Sequence, residues 1–388
     1  MTASKKELRD KLQQPFDSSN WKTILMDVFP NRLSLFKKPV EVAYSDEYIE
    51  SFQQTGNVRL EDGKTLALFE VKVHYRVNLL KNRVRLRNTI AKPIDEGQTN
   101  GVLCVFSSND QSYRFSFVAK ETILTDDGAI ITQETDARRF TYVLGPRETC
   151  NTAAERFYNL SQNSSASGLE DILEAFSVDS LNKLFFDRYK EFYQRFVLYL
   201  KQKEECLKIF KIKVTEGHED FEDECKPIRD FVKKLLGRIT FIYFLQKKGW
   251  MGCPKNDFNW GAGDPDFLRN LFRNTSYQDE FFPKILYKLF YDCLNKPNRP
   301  VDIFKTTDSR VPFLNGTLFE KSEFDEANLR FPSSLFEELF NFLSSYNFTI
   351  DENDPTEREV GIDAEMLGHI FENLLEDNKE SGAYYTPK

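Results

Sequence analysis

The run Thr65-Leu66-Ala67-Leu68-Phe69-Glu70-Val71-Lys72-Val73, preceded across Asp62-Gly63 by Asn57-Val58-Arg59-Leu60, decides how the first third of the chain folds. Both runs are rich in apolar residues, and Asp-Gly between such runs is the strongest short-range hairpin signal because both turn residues need positive φ. With Asp62 and Gly63 as a two-residue turn, Glu61 pairs with Lys64 and Thr55 falls opposite Glu70. Alternation puts Glu70 and Lys72 on one face of the second strand. Upstream, Ser45-Asp46-Glu47 opens an apparent helix on which Asp46 and Glu50, four residues apart, share a face. Downstream, Leu79 to Ala91 reads as a basic helix, and Val102 to Phe106, Tyr113 to Val118 and Phe140 to Leu144 as further strands, before Gly145-Pro146 marks a stop. This order predicts an α/β N-terminal domain over about residues 1–150, a mixed sheet with helices on its faces.

Beyond Thr149 the apolar residues recur every three or four positions. Helices are expected at Ala153 to Leu160, Leu169 to Ala175, Val178 to Lys203, Lys226 to Lys248, Asp266 to Phe272, Phe281 to Cys293, Ser333 to Ser345 and Asp363 to Glu376. A Ser-Asn-rich linker, Ser161 to Gly168, and breakers at Gly249 to Gly252, Pro297 to Pro300, Pro312 to Gly316 and Asp351 to Glu359 separate them. This half is a mainly α-helical connector domain, about residues 151–350. The chain holds 36 phenylalanines, and clusters such as Leu184-Phe185-Phe186 and Phe241-Ile242-Tyr243-Phe244 read as core filling.

Six scattered cysteines with three histidines show no metal-ligand spacing, which argues against zinc. The polar N-terminus and the lack of a long apolar run predict a cytoplasmic protein with no membrane partner. A net charge of −8 argues against nucleic-acid binding by the molecule as a whole. The average hides a polarity, because Val71 to Ile94 carries Lys72, Arg76, Lys81, Arg83, Arg85, Arg87 and Lys92 with no acid. That stretch is either a solvated helix face or a phosphate-facing patch, the latter using Arg76, Lys81, Arg83, Arg85, Arg87 and Lys92.

The segment Asp363-Ala364-Glu365-Met366-Leu367-Gly368-His369-Ile370-Phe371-Glu372-Asn373-Leu374-Leu375, followed by Gly382-Ala383-Tyr384-Tyr385-Thr386-Pro387-Lys388, resembles the start of the adenine-specific DNA methyltransferases of type I and type IIG restriction systems. Leu236 to Trp250 and Val311 to Glu320 resemble the connector such enzymes carry. The resemblance implies that residues 351–388 begin a methyltransferase module, with Tyr384, Tyr385, Thr386 and Pro387 in the loop that lies against S-adenosylmethionine. The Gly-rich cofactor loop and the Asn/Asp-Pro-Pro-Tyr/Phe sequence expected after that loop would follow Lys388, so a truncation or a split gene is expected. Gly261-Ala262-Gly263-Asp264-Pro265 lies ahead of it without a preceding strand and reads as a plain loop.

In type IIG enzymes the N-terminal domain commonly has the PD-(D/E)xK nuclease fold, in which two carboxylates bind magnesium and a lysine assists the attacking water. The resemblance implies that Glu70-Val71-Lys72 holds the catalytic position, with Glu70 and Lys72 as its residues. Asp62, eight residues from Glu70 and roughly 26 Å along an extended strand, is too far to share its ion. Glu50 and Asp46 are the carboxylates expected to complete the magnesium shell with Glu70. The function so implied is that of the N-terminal portion of a restriction–modification enzyme acting on double-stranded DNA. Its alternatives are a non-catalytic interaction subunit that positions a separate methyltransferase or specificity chain, and an unrelated helical scaffold.

Overall fold

The structure, a computed structural model, describes residues 3–44, 47–74, 99–108, 111–119, 123–124, 130–131, 138–162, 168–212, 224–257, 259–314, 316–349 and 357–373. The chain divides into two units. The first comprises Met1–Leu181 with Ser345–Asn347 and Asp351–Gly361, and the second Asn182–Ser344 with Phe348–Ile350 and Ile362–Lys388.

The first unit opens with two helices, α1 (Lys5–Leu12) and α2 (Ser18–Val28). Each starts on a side-chain cap: Ser4 and Glu7 form a capping box on α1, and the Asp17 carboxylate accepts from Asn20 N at the start of α2. On α2 the residues Trp21, Ile24, Leu25 and Val28 are buried at helical spacing. Strands follow as β1 (Leu33–Glu41), β2 (Ile49–Arg59), β3 (Thr65–Val73), β4 (Gly101–Ser107) and β5 (Tyr113–Ala119). A two-residue pair, β6 (Ile123–Leu124) and β7 (Ile130–Ile131), precedes β8 (Arg138–Leu144). Two helices complete this part, α3 (Asn151–Gln162) and α4 (Leu169–Phe176). A closing strand, Glu357–Glu359, returns to the sheet from far along the sequence and lies parallel to β8.

The sheet has seven strands in the order β1, β2, β3, β4, β5, β8 and the closing strand. It is mixed: β3 is antiparallel to β2 and parallel to β4, while β4, β5 and β8 alternate. A parallel neighbour requires a crossover, which residues 74–100 supply; most of them lie outside the described residues. The predicted α/β class, a mixed sheet followed by a mainly helical part, is what the structure has.

Both faces of the central strands are buried. On one face Trp21 sits edge-on to Phe115 at 4.7 Å, and Phe157 of α3 and Phe176 of α4 lie 5.6 Å from the same ring. Because α3 and α4 supply this layer, the first unit extends to Leu181 instead of ending near residue 150. The other face carries Phe52, Ala67, Phe69, Val71, Val73, Val102, Cys104, Phe106 and Val118, all buried.

The second unit is helical: α5 (Val178–Lys201, beginning just before the boundary), α6 (Glu204–Ile209), α7 (Lys226–Lys247) and α8 (Phe267–Arg273). The expected helix from Phe281 to Cys293 forms with π-helical turns over Phe282–Leu286 and Lys288–Leu294. Strands β9 (Ile303–Phe304) and β10 (Ser309–Arg310) make a small hairpin, followed by α9 (Ser333–Leu343) and α10 (Ala364–Asn373). Phe272, Phe281, Phe336 and Phe340 pack ring on ring, so phenylalanine fills this core as expected. Leu184 is an exception, being 54% exposed. Among the described residues no helix is long and apolar enough to cross a membrane.

Helix α7 is buried nearly all round over Leu235–Gln246, and it carries a guanidinium there. Arg238 donates to Leu318 O, Glu320 O and Asp325 Oδ1, each at 2.8 Å. Asp325 also accepts from Ser322 N and Oγ at 2.7 Å. Burial works against the Asp325 charge, but Arg238 and Ser322 outweigh it and hold the carboxyl below its usual range. Asp325→Ala leaves a buried cation without its counter-ion and is expected to lower stability by about 3–5 kcal/mol. Replacing both partners by apolar residues of similar volume should cost less; urea unfolding of the single and double variants measures the difference.

Candidate functional site

Strand β3 presents Leu66, Leu68, Glu70 and Lys72 on one face and Ala67, Phe69, Val71 and Val73 on the other. Glu70 and Lys72 therefore do share a face, but the strand opposite is not registered as expected. The hairpin loop has three residues, Glu61 to Gly63, with Leu60 N donating to Lys64 O at 2.8 Å and Gly63 at φ 80°. Leu60, not Glu61, faces Lys64. A second shift comes from a bulge at Thr55, which falls between the pairs Gln54 to Phe69 and Gly56 to Leu68. Gln53, not Thr55, consequently lies opposite Glu70, and Ser51 opposite Lys72. Thr55 instead points its hydroxyl at Leu68 O, 3.4 Å away.

The expected helix around Asp46 and Glu50 is not formed at Glu50. Glu50 belongs to β2, where Ile49 and Phe52 are buried against the sheet; Asp46 lies outside the described residues. The irregular pairing between Ile49 and Ser51 brings the Glu50 carboxylate to 2.8 Å from Lys72 Nζ. That ammonium, hydrogen-bonded to it, lowers the Glu50 pKa despite some desolvation.

Glu70 meets a different partner. Both of its oxygens accept from the Ser18 hydroxyl, at 3.1 and 2.9 Å, and Ser18 is the first residue of α2. Burial is the dominant influence on Glu70 and pushes its carboxyl above the usual range. Ser18 and the charge of Lys22 oppose that rise, and the charge of Asp17 adds to it. Asp17, Ser18 and Lys22 are the residues that sequence reasoning missed here. Their signal was Asp17-Ser18-Ser19-Asn20 ahead of the apolar spacing of Trp21, Ile24, Leu25 and Val28.

Asp62 is occupied elsewhere. Its Oδ2 accepts from Leu169 N at 3.1 Å, holding the start of α4, and its Oδ1 accepts from Lys64 N at 3.1 Å. Partial burial opposes the charge, yet these N–H groups and the Lys64 ammonium lower the Asp62 pKa on balance. Among the described residues no three His, Cys, Asp or Glu side chains converge on a point. Glu50 is tied to Lys72 and Glu70 to Ser18, so the described residues do not by themselves fit a two-carboxylate magnesium shell. Arg76, Lys81, Arg83, Arg85, Arg87 and Lys92, and the loop residues Tyr384, Tyr385, Thr386 and Pro387, lie outside the described residues. No protein-family model, curated protein or solved structure matches this chain.

A carboxyl whose folded pKa is raised favours the fold below its unfolded value and loses that contribution as pH rises through the folded value. Glu70 thus weakens the fold at neutral pH, where burial opposes its charge. Glu70→Gln keeps an acceptor for Ser18 and should raise the melting temperature by a few degrees at neutral pH. The gain should vanish toward pH 4; thermal melts across that range measure it, and a variant less stable at every pH would contradict the assignment.

Proposed function

We propose that this chain is the N-terminal portion of a restriction–modification enzyme. In this reading the sheet unit acts on double-stranded DNA and the helical unit leads to an adenine-specific, S-adenosylmethionine-dependent methyltransferase module. The observation that carries the reading is Glu70. A half-buried carboxylate with a raised pKa, on the second strand of a hairpin and two residues from an exposed lysine, is a costly arrangement for a surface with only a structural task. The basic run from Arg76 to Lys92 follows that strand directly and supplies the charge to neutralise phosphates. The motifs at Leu236 to Trp250, Val311 to Glu320 and Asp363 to Lys388 support the methyltransferase connection.

One observation favours a non-catalytic variant of this reading. Lys72 is held by Glu50, and the nearest hairpin aspartate, Asp62, serves α4. A unit that binds duplex DNA and positions a separate methyltransferase or specificity chain would need neither group free.

Two measurements separate the readings. Duplex binding by residues 1–388, followed by anisotropy, should fall steeply with salt, by roughly 0.9 in log K per neutralised phosphate for each unit of log salt. The pair Arg83→Glu and Arg87→Glu should abolish it, and unchanged binding would rule out this DNA path. Nicking of supercoiled plasmid in magnesium should be slow in the wild type, lost in Glu70→Ala and Lys72→Ala, and retained in Asp62→Ala. Salt-dependent binding without any nicking assigns the non-catalytic role.

A further inference from the structure

Lys72 is the one basic residue of β3, and 52% of its side chain is open to solvent. Its partners across the sheet are Ser51 of β2 and Ser107 of β4, which pair with it directly and so stand on the same face. Both are too short to cover the ammonium. The Glu50 carboxylate occupies it instead, at 2.8 Å. That carboxylate is placed by the backbone. Between Ile49, which faces Val73, and Ser51, which faces Lys72, the pairing slips, and Glu50 is the extra residue of a bulge that re-aims its side chain. The bulge is held on both sides: Tyr44 Oη donates to Glu50 O at 2.8 Å, and His74 N donates to Tyr48 O at 2.8 Å. Ile49 and Phe52, buried on the opposite face, fix the chain before and after it.

Stability does not account for this arrangement. An exposed ion pair contributes little, because water screens the charges and two long side chains lose rotamer freedom. The bulge also takes Glu50 out of the β2–β3 ladder, so a ladder position is given up for a weak contact. What the contact does is electrostatic: it neutralises the cation that β3 presents two residues from Glu70. A phosphodiester oxygen carries the same charge as a carboxylate and accepts from an ammonium in the same way. Because Lys72 is half exposed, one acceptor can replace the other without an unpaired charge being buried on the way.

We propose that Glu50 is a built-in competitor for Lys72, an autoinhibitory clasp that a backbone phosphate of duplex DNA must displace before Lys72 can contact the strand. The proposal rests on duplex DNA as the ligand of the sheet unit, and it holds for the cutting and the non-catalytic form of that reading alike. Displacement exchanges one anion for another on Lys72, and the freed carboxylate takes up a cation from solution. In the wild type this contact therefore releases little counterion, whereas without Glu50 it becomes an ordinary phosphate contact.

The test compares the full chain with its Glu50→Gln variant in two assays. The first is competitive acetylation of lysines by N-hydroxysuccinimidyl acetate without DNA, read by mass spectrometry with Lys37 as internal reference. Lys72 should react about two- to fivefold faster in Glu50→Gln, the span that an exposed pair contributes. The second is duplex anisotropy across a salt series. Glu50→Gln should bind about two- to fivefold more tightly at low salt. Its salt dependence should steepen by about 0.9 in log K per unit of log salt, one further phosphate. Loss of a negative charge alone strengthens binding whatever its partner, so the same change is made in Lys72→Ala, where it should alter neither affinity nor slope. Equal acetylation of Lys72, unchanged affinity of Glu50→Gln, or an equal gain with and without Lys72 overturns the proposal. Duplex binding with equal acetylation removes the clasp and leaves the DNA reading intact. If neither protein binds duplex, the proposal falls together with the reading beneath it.

Discussion

Burial of both faces of β3 is the constraint from which the first unit follows. A strand with Phe69 and Val71 on one side and Leu66 and Leu68 on the other must be covered above and below. The mixed neighbours of β3, antiparallel β2 and parallel β4, place it well inside the sheet. Glu70 interrupts one apolar face, and a carboxylate there must find a donor. The start of α2 provides one in Ser18, while Trp21, one turn on, anchors the same helix on Phe115. Helix α2 thus performs two tasks at once: its apolar side closes the core and its first turn meets the polar residue.

What was legible in the sequence tracks how local the cause is. Strands β4, β5 and β8 are short apolar runs between turn signals, and the longer helices of the second half carry their own period, so each was readable within its window; the six-residue α6, too short to show a period, was not. The hairpin was readable too, but not its register. Gly63 takes positive φ in a three-residue loop, and the bulge at Thr55 adjoins Gly56, where a Cβ would meet Ser34 O of β1 at 2.3 Å. That contact involves a strand more than twenty residues away, which no window around the hairpin contains. Glu50 was misread because Ser45-Asp46-Glu47 looks like a helix start, whereas Ile49 and Phe52 bury on the sheet. The closing strand is three residues long and pairs with β8 across some two hundred residues of sequence, beyond any local signal.

In the second unit the Arg238 and Asp325 pair links the two stretches that resemble a methyltransferase connector. Arg238 lies in the first, while its acceptors Leu318 and Glu320 lie in the second. Burying a charge in the middle of α7 is unfavourable unless every donor has a partner, and the carbonyls of the 318–320 segment provide that match. Such a pair specifies geometry more than it adds stability. The segment can seat only where two carbonyls and a carboxylate converge on one guanidinium, so the second motif is registered on the first. Either stretch alone reads as ordinary core helix or loop, and this contact is what joins them.

The carboxylates of the chain sort by the direction in which their surroundings move them. Asp62 at the start of α4, Asp279 on the first N–H of α9, Asp325 on Arg238 and Glu50 on Lys72 are all held below their usual range by donors or cations. In each, the charged form is the one the structure accommodates, as expected of groups that fasten elements together. Glu70 goes the other way, with burial outweighing its hydroxyl partner and Lys22. A purely structural acceptor for Ser18 would be better served by an amide, which satisfies the hydroxyl without a buried charge. Retention of an ionisable group where an uncharged one would stabilise the fold separates a chemical or ligand-binding position from a fastening one. By that criterion Asp62, which the turn made conspicuous in the sequence, is a fastener, and Glu70 is the residue on which the function proposed for the first unit rests.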